Sequence, residues 1–523
     1  MKSYSMLSRQ KAFEKISQTK IWDVVVIGGG ATGMGIAVDA AKRGFKVLLL
    51  EKNDFAKGTS SRSTKLVHGG VRYLAQGNVK LVIEALRERG FLLANAPHLT
   101  SIQKFVIPVY RYFDQFFYAS GLLLYDILAG KLSLSRTKLL SKKTLLQWMP
   151  TIQKTGLKGG IVYADGQFDD ARLVIALALT ANDLGGAVLN YANVVELKKK
   201  DGKVSGLLFR DEETGQTYEV ASKSVINATG VFVDAILELD DKSSPAAVMP
   251  SQGVHLVIEK KFFPSDHALM IPKTKDGRVL FAVPWKNYVV LGTTDTPLLE
   301  ISEEPSALQD EIDFIIDHFN LYNDKKIVRE DIKSVFAGLR PLVKTSNNKS
   351  TALASRDHTI IVSTSNLITI TGGKWTTYRK MAKDAMNNAV FVAKLPVVKC
   401  TTRNLRLHGY TETKQQSTLL SVYGSDAIKI QELMHADPTM SERIHPDHEC
   451  TKAELIWSVR NEMALQVEDI LARRSRMLFV DAAAAVSSAR KVAEWMALEL
   501  NHDEAWINQQ VASFQELAKT YLP

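Results

Sequence analysis

The sequence predicts an α/β protein with a parallel sheet in its first part, a mainly antiparallel sheet in the middle and a helical C-terminal domain. Three observations support this division. An apolar run, a glycine turn, a helical pattern and a second apolar run succeed one another within 21–51, short strand-like runs fill 246–341, and alanine-rich helical patterns dominate after Cys400.

The first of these stretches is typical of a dinucleotide site. The run Trp22–Ile27 suits a buried parallel strand, and the glycines 28–30 and Gly33 follow it directly. In such a motif Gly28 permits the turn, Gly30 lets the backbone approach a pyrophosphate, and Gly33 lets the helix pack closely on the strand. Glu51, at the end of the second strand, is placed to accept hydrogen bonds from ribose hydroxyls. A turn that only packs is the alternative.

Composition limits the class of protein. The 523 residues are 46% hydrophobic, enough for two or three domains with large cores. Cys400 and Cys450 are the only cysteines and have no metal-ligand spacing around them, so the sequence predicts neither a disulfide framework nor a metal site and favours a reducing, cytoplasmic setting. Residues 1–20 read as a polar, basic arm rather than a signal peptide, and no run is long enough to cross a bilayer.

Charge is unevenly distributed along the chain. The net charge is +10, with +14 before Cys400 and −4 from there onward. A basic first part suits an anionic cofactor, an anionic substrate or acidic lipid, whereas no nucleic-acid motif is present. Around Phe113–Leu128, aromatic and leucine residues are flanked by seven basic residues within 99–143. That pattern predicts either an interfacial helix at anionic headgroups or a core helix pair with a solvated basic rim.

Further strands and turns complete the two sheets. Asp169 or Asp170 can cap a helix over about 171–184, which is followed by a small antiparallel meander. Strands ending at Gly230 and at Gly373 place flexible backbone where it can pass close to a nucleotide, by analogy with the glutathione-reductase type of FAD-binding domain. The hydroxyl-rich segment Lys57–Leu74 would either donate to phosphate and ring oxygens or simply cap a helix. The internal Arg473–Arg476 run could bind an anion or cap and solvate a helix end, and the second interpretation is favoured.

Several longer blocks identify a family resemblance. GGGATGMGIAVDAAKRG, SSRSTKLVHGGVRYL, GTTDT, AGLRPLV, SRDH and GGKWTTYR are similar to blocks of the FAD-dependent glycerol-3-phosphate dehydrogenase family. The resemblance runs from about residue 21 through the helical C-terminal domain. It implies an α/β FAD-binding fold of the glutathione-reductase type (Rossmann-like), with an antiparallel substrate domain and a C-terminal helical domain.

The resemblance also implies residue roles. The proton acceptor would be His255, which on its strand pattern alone is an ordinary packed or surface histidine. The phosphate and the developing alkoxide would be bound by Arg72, Arg340 and Lys374, with Tyr73 and Arg356 in the same shell. The ADP part of FAD would be held by Gly28, Gly30, Gly33 and Glu51, with Gly230 and Gly373 close by. The flavin ring and pyrophosphate would be lined by Ser60, Ser63, Thr64, Lys65 and His68.

The implied reaction is oxidation of sn-glycerol 3-phosphate to dihydroxyacetone phosphate, with electrons passed to membrane quinone by a peripheral protein on the inner face of the cell membrane. The oligomeric state is left open, a homodimer included. Alternatives are a glycerol-3-phosphate oxidase that uses oxygen, an amine or amino-acid oxidase of related fold, and a non-catalytic flavin-binding protein. No second glycine fingerprint follows a strand, so a bound nicotinamide is not indicated.

The expected domain boundaries follow from these segments. An N-terminal arm (1–20) precedes the FAD-binding domain, which is expected in three parts (21–95, 158–245 and 350–399). The basic aromatic segment (96–157), the substrate-binding domain (246–349) and the C-terminal helical domain (400–523) complete the chain.

Overall fold

The computed structural model describes residues 6–71, 74, 77–275, 277–344, 357–412 and 420–523. Its helices are α1 Arg9–Gln18, α2 Ala31–Lys42, α3 Val79–Asn95, α4 Tyr112–Ala129, α5 Lys142–Trp148, α6 Asp170–Asp183, α7 Val233–Asp240, α8 Gln309–Tyr322, α9 Tyr378–Val392, α10 Ala427–Ala436, α11 Lys452–Glu462, α12 Met477–Val480, α13 Ala482–Leu500 and α14 Glu504–Ala518. Its strands are β1 Val24–Ile27, β2 Val47–Leu50, β3 Leu66–Val67, β4 Thr100–Val109, β5 Lys138–Ser141, β6 Gly159–Phe168, β7 Ala187–Leu189, β8 Ala192–Lys200, β9 Lys203–Asp211, β10 Thr217–Ala221, β11 Val225–Asn227, β12 Val248–Glu259, β13 Ala268–Ile271, β14 Leu280–Trp285, β15 Tyr288–Gly292, β16 Thr296–Pro297, β17 Ile332–Val343, β18 His358–Val362 and β19 Ile368–Gly372.

The first sheet has the order β18-β19-β11-β1-β2-β7, and it is parallel except for the edge strand β18. All four residues of β1 are buried, as expected for a central strand covered on both faces. Helix α2 packs against it very closely, because a Cβ on Gly33 would lie 1.9 Å from the carbonyl oxygen of Gly28. The predicted strand, glycine turn, helix and second strand are therefore all present, and β8–β10 form the predicted meander.

The second sheet is larger and has the order β16-β12-β15-β14-β13-β4-β6-β3, with β17 beside β12 and β5 beside β6. Both β4 and β6 belong to it, so segments 96–157 and 158–245 contribute strands to a sheet that the sequence analysis expected from 246–349. Thr64, just before β3 at one end of this order, contacts His255 in β12 near the other end. The sheet must therefore curve strongly, which brings its two ends together.

Cross-strand register places one row of side chains on a single face of this sheet. Tyr163 lies opposite Phe105, Met270 opposite Phe281, and Gly292 opposite both Phe281 and His255. We call this the inner face. The opposite face is packed against α5 and α8 through a separate apolar cluster.

Two helical elements cover parts of the inner face. Residues of the C-terminal domain share an apolar cluster with Phe336 and Trp285 of the sheet. At the other end, Leu122 of α4 packs with Phe105 and Val109. Between these two covers the inner face is open to a cavity, described below.

Helix α4 spans the segment for which the sequence left two interpretations open. It buries Leu122, Tyr125 and Ala129. Its other face is apolar and exposed, with side chains 44–78% accessible at Tyr112, Phe113, Phe116, Phe117, Leu123, Leu124 and Ile127. Helix α4 therefore pairs with α3 through Tyr125 and Ala129 on its buried side, while its apolar outer face stays uncovered. Within the part of the chain that the structure describes, no helix is long and apolar enough to cross a bilayer.

Candidate functional site

A cavity of about 710 Å³ lies between the parallel sheet and the inner face of the larger sheet. Most of the predicted site residues line it: Gly28, Gly30, Glu51, Ser60, Ser63, Thr64, His68, Gly230, His255, Arg340, Gly373 and Lys374. Arg72, Tyr73 and Arg356 lie outside the described residues. The structure therefore brings together the predicted nucleotide and substrate residues in one continuous space.

One end of the cavity has the features of a nucleotide site. Gly28 has φ +110° and a Cβ there would lie 2.7 Å from the carbonyl oxygen of Ala228, so only glycine fits without strain. Glu51 accepts hydrogen bonds from the backbone N–H groups of Gly29 (2.5 Å) and Asn53 (2.9 Å). Burial raises the pKa of this carboxyl group. Its position at the end of β2 matches the predicted ribose acceptor.

The start of α2 forms the adjoining wall, with Gly30, Ala31 and Thr32 facing the cavity. A helix N-terminus offers free N–H groups and a positive dipole end to phosphate. The Ala31 N–H donates to Ser60 Oγ at 2.9 Å, and the carbonyl of Ser60 accepts a hydrogen bond from Trp375 Nε1 at 3.0 Å. The hydroxyl-rich segment is therefore fixed against the nucleotide turn, and its Ser60 caps the first residue of α2.

His255 lies at the other end of the cavity and is only 3% exposed. Its Nε2 is 2.9 Å from Thr64 Oγ1, and its ring stacks on Phe336 with centroids 4.7 Å apart. Burial lowers the pKa of His255 well below 6.5, and the nearby positive charges of Lys65 and Arg340 add to this. The imidazole is therefore neutral near pH 7 and able to accept a proton.

Arg340 projects from β17 across Gly253 of the neighbouring strand β12. Only glycine fits at position 253, because a Cβ there would lie 2.2 Å from Arg340 Nη2. Its Nη1 donates to the carbonyl of Gln252 (3.1 Å) and approaches Asp295 Oδ1 (3.4 Å). Its Nη2 donates to Thr293 Oγ1 (3.2 Å) and to the carbonyl of Thr294 (2.9 Å). The guanidinium is oriented by these contacts and lines the cavity.

Lys374 enters from the parallel sheet. It follows Gly372 and Gly373, whose φ values of +80° and +76° make the sharp exit from β19. The lysine lines the cavity at the start of the turn Trp375–Thr377. Gly230, with φ +67°, lines the same region. Two cationic side chains, Arg340 and Lys374, thus line the same cavity from different sheets.

Lys65 is a correction to the predicted set. Its side chain is fully buried and does not line the cavity. Its Nζ donates to the carbonyl of Ser61 (2.6 Å) and to Asp170 Oδ2 (2.8 Å). Burial lowers the pKa of Lys65 to about 7, although the Asp170 carboxylate opposes this. Lys65 therefore supports the hydroxyl-rich segment through its bonds to Ser61 and Asp170. Its charge helps to lower the pKa of His255, although its side chain does not line the cavity.

The arginine run 473–476 is a second correction, because it is not solvated. Arg473 and Arg474 are 2% and 5% exposed, and both donate to Asp54. Arg476, fully buried, donates to Asp170 Oδ1 at 2.9 Å. Asp54 lies in the loop that follows β2 and Asp170 is the first residue of α6, so these ion pairs attach the C-terminal domain to both places.

Sequence reasoning missed the structural roles of Asp170, Gly253 and Asp295. Asp170 had been considered only as a helix cap, yet it accepts hydrogen bonds from Ser63, Lys65 and Arg476. Asp295 is part of GTTDT, a block noted only for its resemblance. The partners of Asp170 are distant from it in sequence, so no local pattern indicated these contacts. The only available signal was a second acidic residue next to Asp169 at the predicted start of the helix.

Comparisons with known proteins agree with this geometry. The chain matches the family model "FAD dependent oxidoreductase" over residues 23–379 and "C-terminal domain of alpha-glycerophosphate oxidase" over 363–507. It is 38% identical to human "Glycerol-3-phosphate dehydrogenase, mitochondrial", covering 98% of this chain and 75% of that protein. The mitochondrial glycerol-3-phosphate dehydrogenase of Arabidopsis thaliana is also 38% identical, with 95% and 86% covered.

Solved structures give the same result. A glycerol-3-phosphate dehydrogenase from Bacillus halodurans, complexed with FAD, has a TM-score of 0.81 and 29% identity, with 100% of this chain and 99% of that chain covered. An L-α-glycerophosphate oxidase from Mycoplasma pneumoniae shares the fold, with a TM-score of 0.57, 18% identity, and 74% and 98% covered. The predicted fold class and the predicted FAD cofactor are confirmed. The chemistry of the glycine turn and of Glu51 is compatible with the ADP part of FAD, because it offers close backbone approach and a carboxylate acceptor.

Proposed function

We propose, since the chain belongs to the FAD-dependent glycerol-3-phosphate dehydrogenase family, that it oxidises sn-glycerol 3-phosphate to dihydroxyacetone phosphate and passes the electrons to membrane quinone. The observation that carries this proposal is that His255, Arg340 and Lys374 line the same cavity as the glycine turn and Glu51. A neutral base and two cations suit a phosphorylated alcohol, because the cations match the charge of its phosphate.

Arg340 and Lys374 bind the phosphate and stabilise the alkoxide that develops at carbon 2. The two longest contacts of Arg340, to Asp295 and Thr293, are those that a phosphate oxygen can replace at least cost. Arg72, Tyr73 and Arg356 complete this shell in our proposal.

His255 takes the proton of the carbon-2 hydroxyl. Bound FAD supplies the acceptor for the hydride that leaves carbon 2. Thr64 fixes the imidazole through Nε2, and Phe336 restricts its plane, so the base does not have to be ordered when substrate binds. Lys65 and Arg340 disfavour the imidazolium, so the base stays unprotonated between turnovers.

Helix α4 supports the proposed electron acceptor and the proposed membrane location. Exposed basic residues adjoin its exposed apolar face: Arg111 directly precedes the helix, and Lys158 Nζ lies 5.6 Å from the centre of the Tyr112 ring. An apolar face next to basic side chains suits the interfacial region of a bilayer with anionic lipids. This supports a peripheral protein on the inner face of the cell membrane and a quinone as acceptor. We retain the sequence-based domain boundaries as part of the proposal, with β4 and β6 assigned to the substrate-side sheet.

The test is an anaerobic half-reaction. Purified holoenzyme is mixed with glycerol 3-phosphate while the flavin absorption band is followed, and then oxygen or a water-soluble quinone is admitted. Bleaching followed by rapid recovery only with quinone is the expected result. Recovery in oxygen with stoichiometric hydrogen peroxide would make the protein an oxidase. No bleaching by glycerol 3-phosphate, with bleaching by an amino acid, would overturn the substrate assignment.

A further inference from the structure

One part of the cavity wall differs in chemistry from the rest. Phe105, Tyr163, Met270, Val279 and Phe281 line the cavity from the inner face of the large sheet, and we call this part the aromatic chamber. Phe105 stacks on Tyr163 with centroids 5.2 Å apart and meets Phe281 edge-on at 5.8 Å. The three rings form one continuous apolar wall.

The polar atoms around the chamber are already paired. Tyr163 directs its hydroxyl to Met270 Sδ at 3.3 Å. Asp165 also reaches the cavity, but its carboxylate accepts hydrogen bonds from Arg89 Nη1 and from the Tyr125 hydroxyl of α4, both at 2.7 Å. The chamber therefore presents mainly carbon and sulfur surface to whatever occupies it.

This surface does not match the alcohol substrate. Glycerol 3-phosphate carries a doubly charged phosphate and two hydroxyl groups, and each would lose hydrogen bonds to water against aromatic and thioether groups without gaining new ones. The side chains that suit glycerol 3-phosphate, His255 and Arg340, lie on β12 and β17. Phe281 is two strands away from His255, roughly 10 Å at the usual spacing of about 4.8 Å between strands.

The chamber is nevertheless continuous with the reaction centre. Gly292 stands between His255 and Phe281 in the cross-strand row, and a Cβ there would lie 2.4 Å from His255 Cδ2. The absence of a side chain leaves the row open at that point. An apolar guest in the chamber would thus adjoin the part of the cavity that fits FAD and leave His255 and Arg340 to the substrate.

On this basis we propose that the aromatic chamber binds the ring of the quinone that reoxidises the reduced flavin, an inference that rests on the proposed function. A quinone ring is flat and largely apolar, and aromatic walls bind such rings by stacking. In this step two electrons and two protons leave the reduced flavin, and the quinone, taking them up, becomes a quinol. FAD is regenerated without any further reactant.

Helix α4 gives a physical reason for this location. Its buried side packs on the same apolar cluster that contains Phe105, Tyr163 and Met270, and its opposite side is the exposed apolar face. A bilayer-resident quinone would therefore need to pass only one helix to reach the chamber. The substrate, which is dissolved in water, has no corresponding reason to use this side.

The experiment separates the two half-reactions in holoenzyme variants. Phe281→Ala removes one ring of the wall, Val279→Trp narrows the chamber, and Leu299→Ala changes an exposed residue that does not line the cavity. For each protein we would measure anaerobic flavin bleaching by glycerol 3-phosphate, reoxidation by a short-chain quinone and by hexacyanoferrate, and quinone binding to the oxidised enzyme by calorimetric titration.

We expect both chamber variants to weaken quinone binding and to slow reoxidation at low quinone about tenfold or more, with bleaching and hexacyanoferrate reoxidation within about twofold of wild type. Leu299→Ala should match wild type throughout. Slower bleaching with unchanged quinone binding would assign the chamber to the alcohol substrate and overturn the inference, as would quinone binding that neither variant changes. If the wild-type flavin is not bleached by glycerol 3-phosphate, the proposed function itself fails.

Discussion

Replacement of Arg340 by alanine tests the substrate half of the site most directly. The guanidinium has 22% of its side-chain surface accessible and faces the cavity, while its backbone lies in β17 between well-paired neighbours. Arg340→Ala therefore removes charge from the site without removing a strand hydrogen bond. Arg340 bonds to Gln252, Asp295, Thr293 and Thr294, which lie outside the glycine turn and away from Glu51 in sequence, so FAD should remain bound.

The magnitude follows from the contacts that change. A phosphate that replaces the long contacts to Asp295 and Thr293 gains two charge-assisted hydrogen bonds, each worth about 1.5–3 kcal/mol. Part of this gain is offset by the bonds given up and by residual water, so a net loss of about 3 kcal/mol is expected on truncation. At about 1.4 kcal/mol per decade, this is roughly a hundredfold increase in the substrate concentration needed for half-maximal reduction.

The assay is stopped-flow reduction of the flavin at increasing glycerol 3-phosphate, with FAD content measured by absorbance after gel filtration. Arg340→Lys keeps a positive charge but loses the planar fork, and should fall between wild type and alanine. Arg490→Ala is the matched control, because this arginine is exposed on α13. Normal substrate affinity in Arg340→Ala, with FAD at full occupancy, would remove Arg340 from the pocket.

Three further predictions concern His255, His408 and Asp54. His255→Asn should slow anaerobic flavin reduction at saturating substrate by about 10²–10⁴-fold. Because the pKa of His255 is lowered, the rate of flavin reduction in the wild type should change little between pH 8 and 6. A steep loss of rate in that range would point to another base. His408 is buried, which lowers its pKa, but hydrogen bonds to two carboxylates raise it to about 9, so its stabilisation is fully present below about pH 6.5 and is lost as pH rises through 9. The melting-temperature gap between wild type and His408→Gln should therefore shrink at pH 10, whereas a constant gap would contradict the ion pairing. Asp54→Asn should lower the free energy of unfolding by about 3–5 kcal/mol, because it leaves two buried arginines short of a partner. Thermal unfolding and FAD retention measure this loss. The control is Asp266→Asn, which changes an exposed ion pair and should match wild type.

Local sequence determined the nucleotide half almost completely. A strand buried on both faces needs an unbroken apolar run, and a backbone that turns with positive φ at Gly28 needs glycine, so residues 24–51 reveal their structure without reference to the rest of the chain. The long helix 482–500 lies in the part of the chain where the sequence predicts alanine-rich helices, and Asp481 caps it.

The two corrections show what local sequence could not determine. Lys65 and the 473–476 run carry charges that ordinarily face water, and they are buried only because Asp170 and Asp54, hundreds of residues away from the arginines, lie opposite them. A charge is tolerated inside a protein when a partner of opposite sign reaches it. No window of the sequence contains both members of these pairs.

The sheet to which β4 and β6 belong was likewise determined by partners distant in the sequence. Each was assigned from its neighbours along the chain, but a strand belongs to the sheet that supplies its hydrogen-bonding partners, and here β4 pairs with both β6 and β13. That pairing places Phe105 and Tyr163 in one row with His255. The sequence thus determined which chemistry the protein carries, through its glycine turn and its resemblance blocks. Only the tertiary structure determined which side chains face the cavity and which support it from behind, because burial depends on partners that the fold alone brings together.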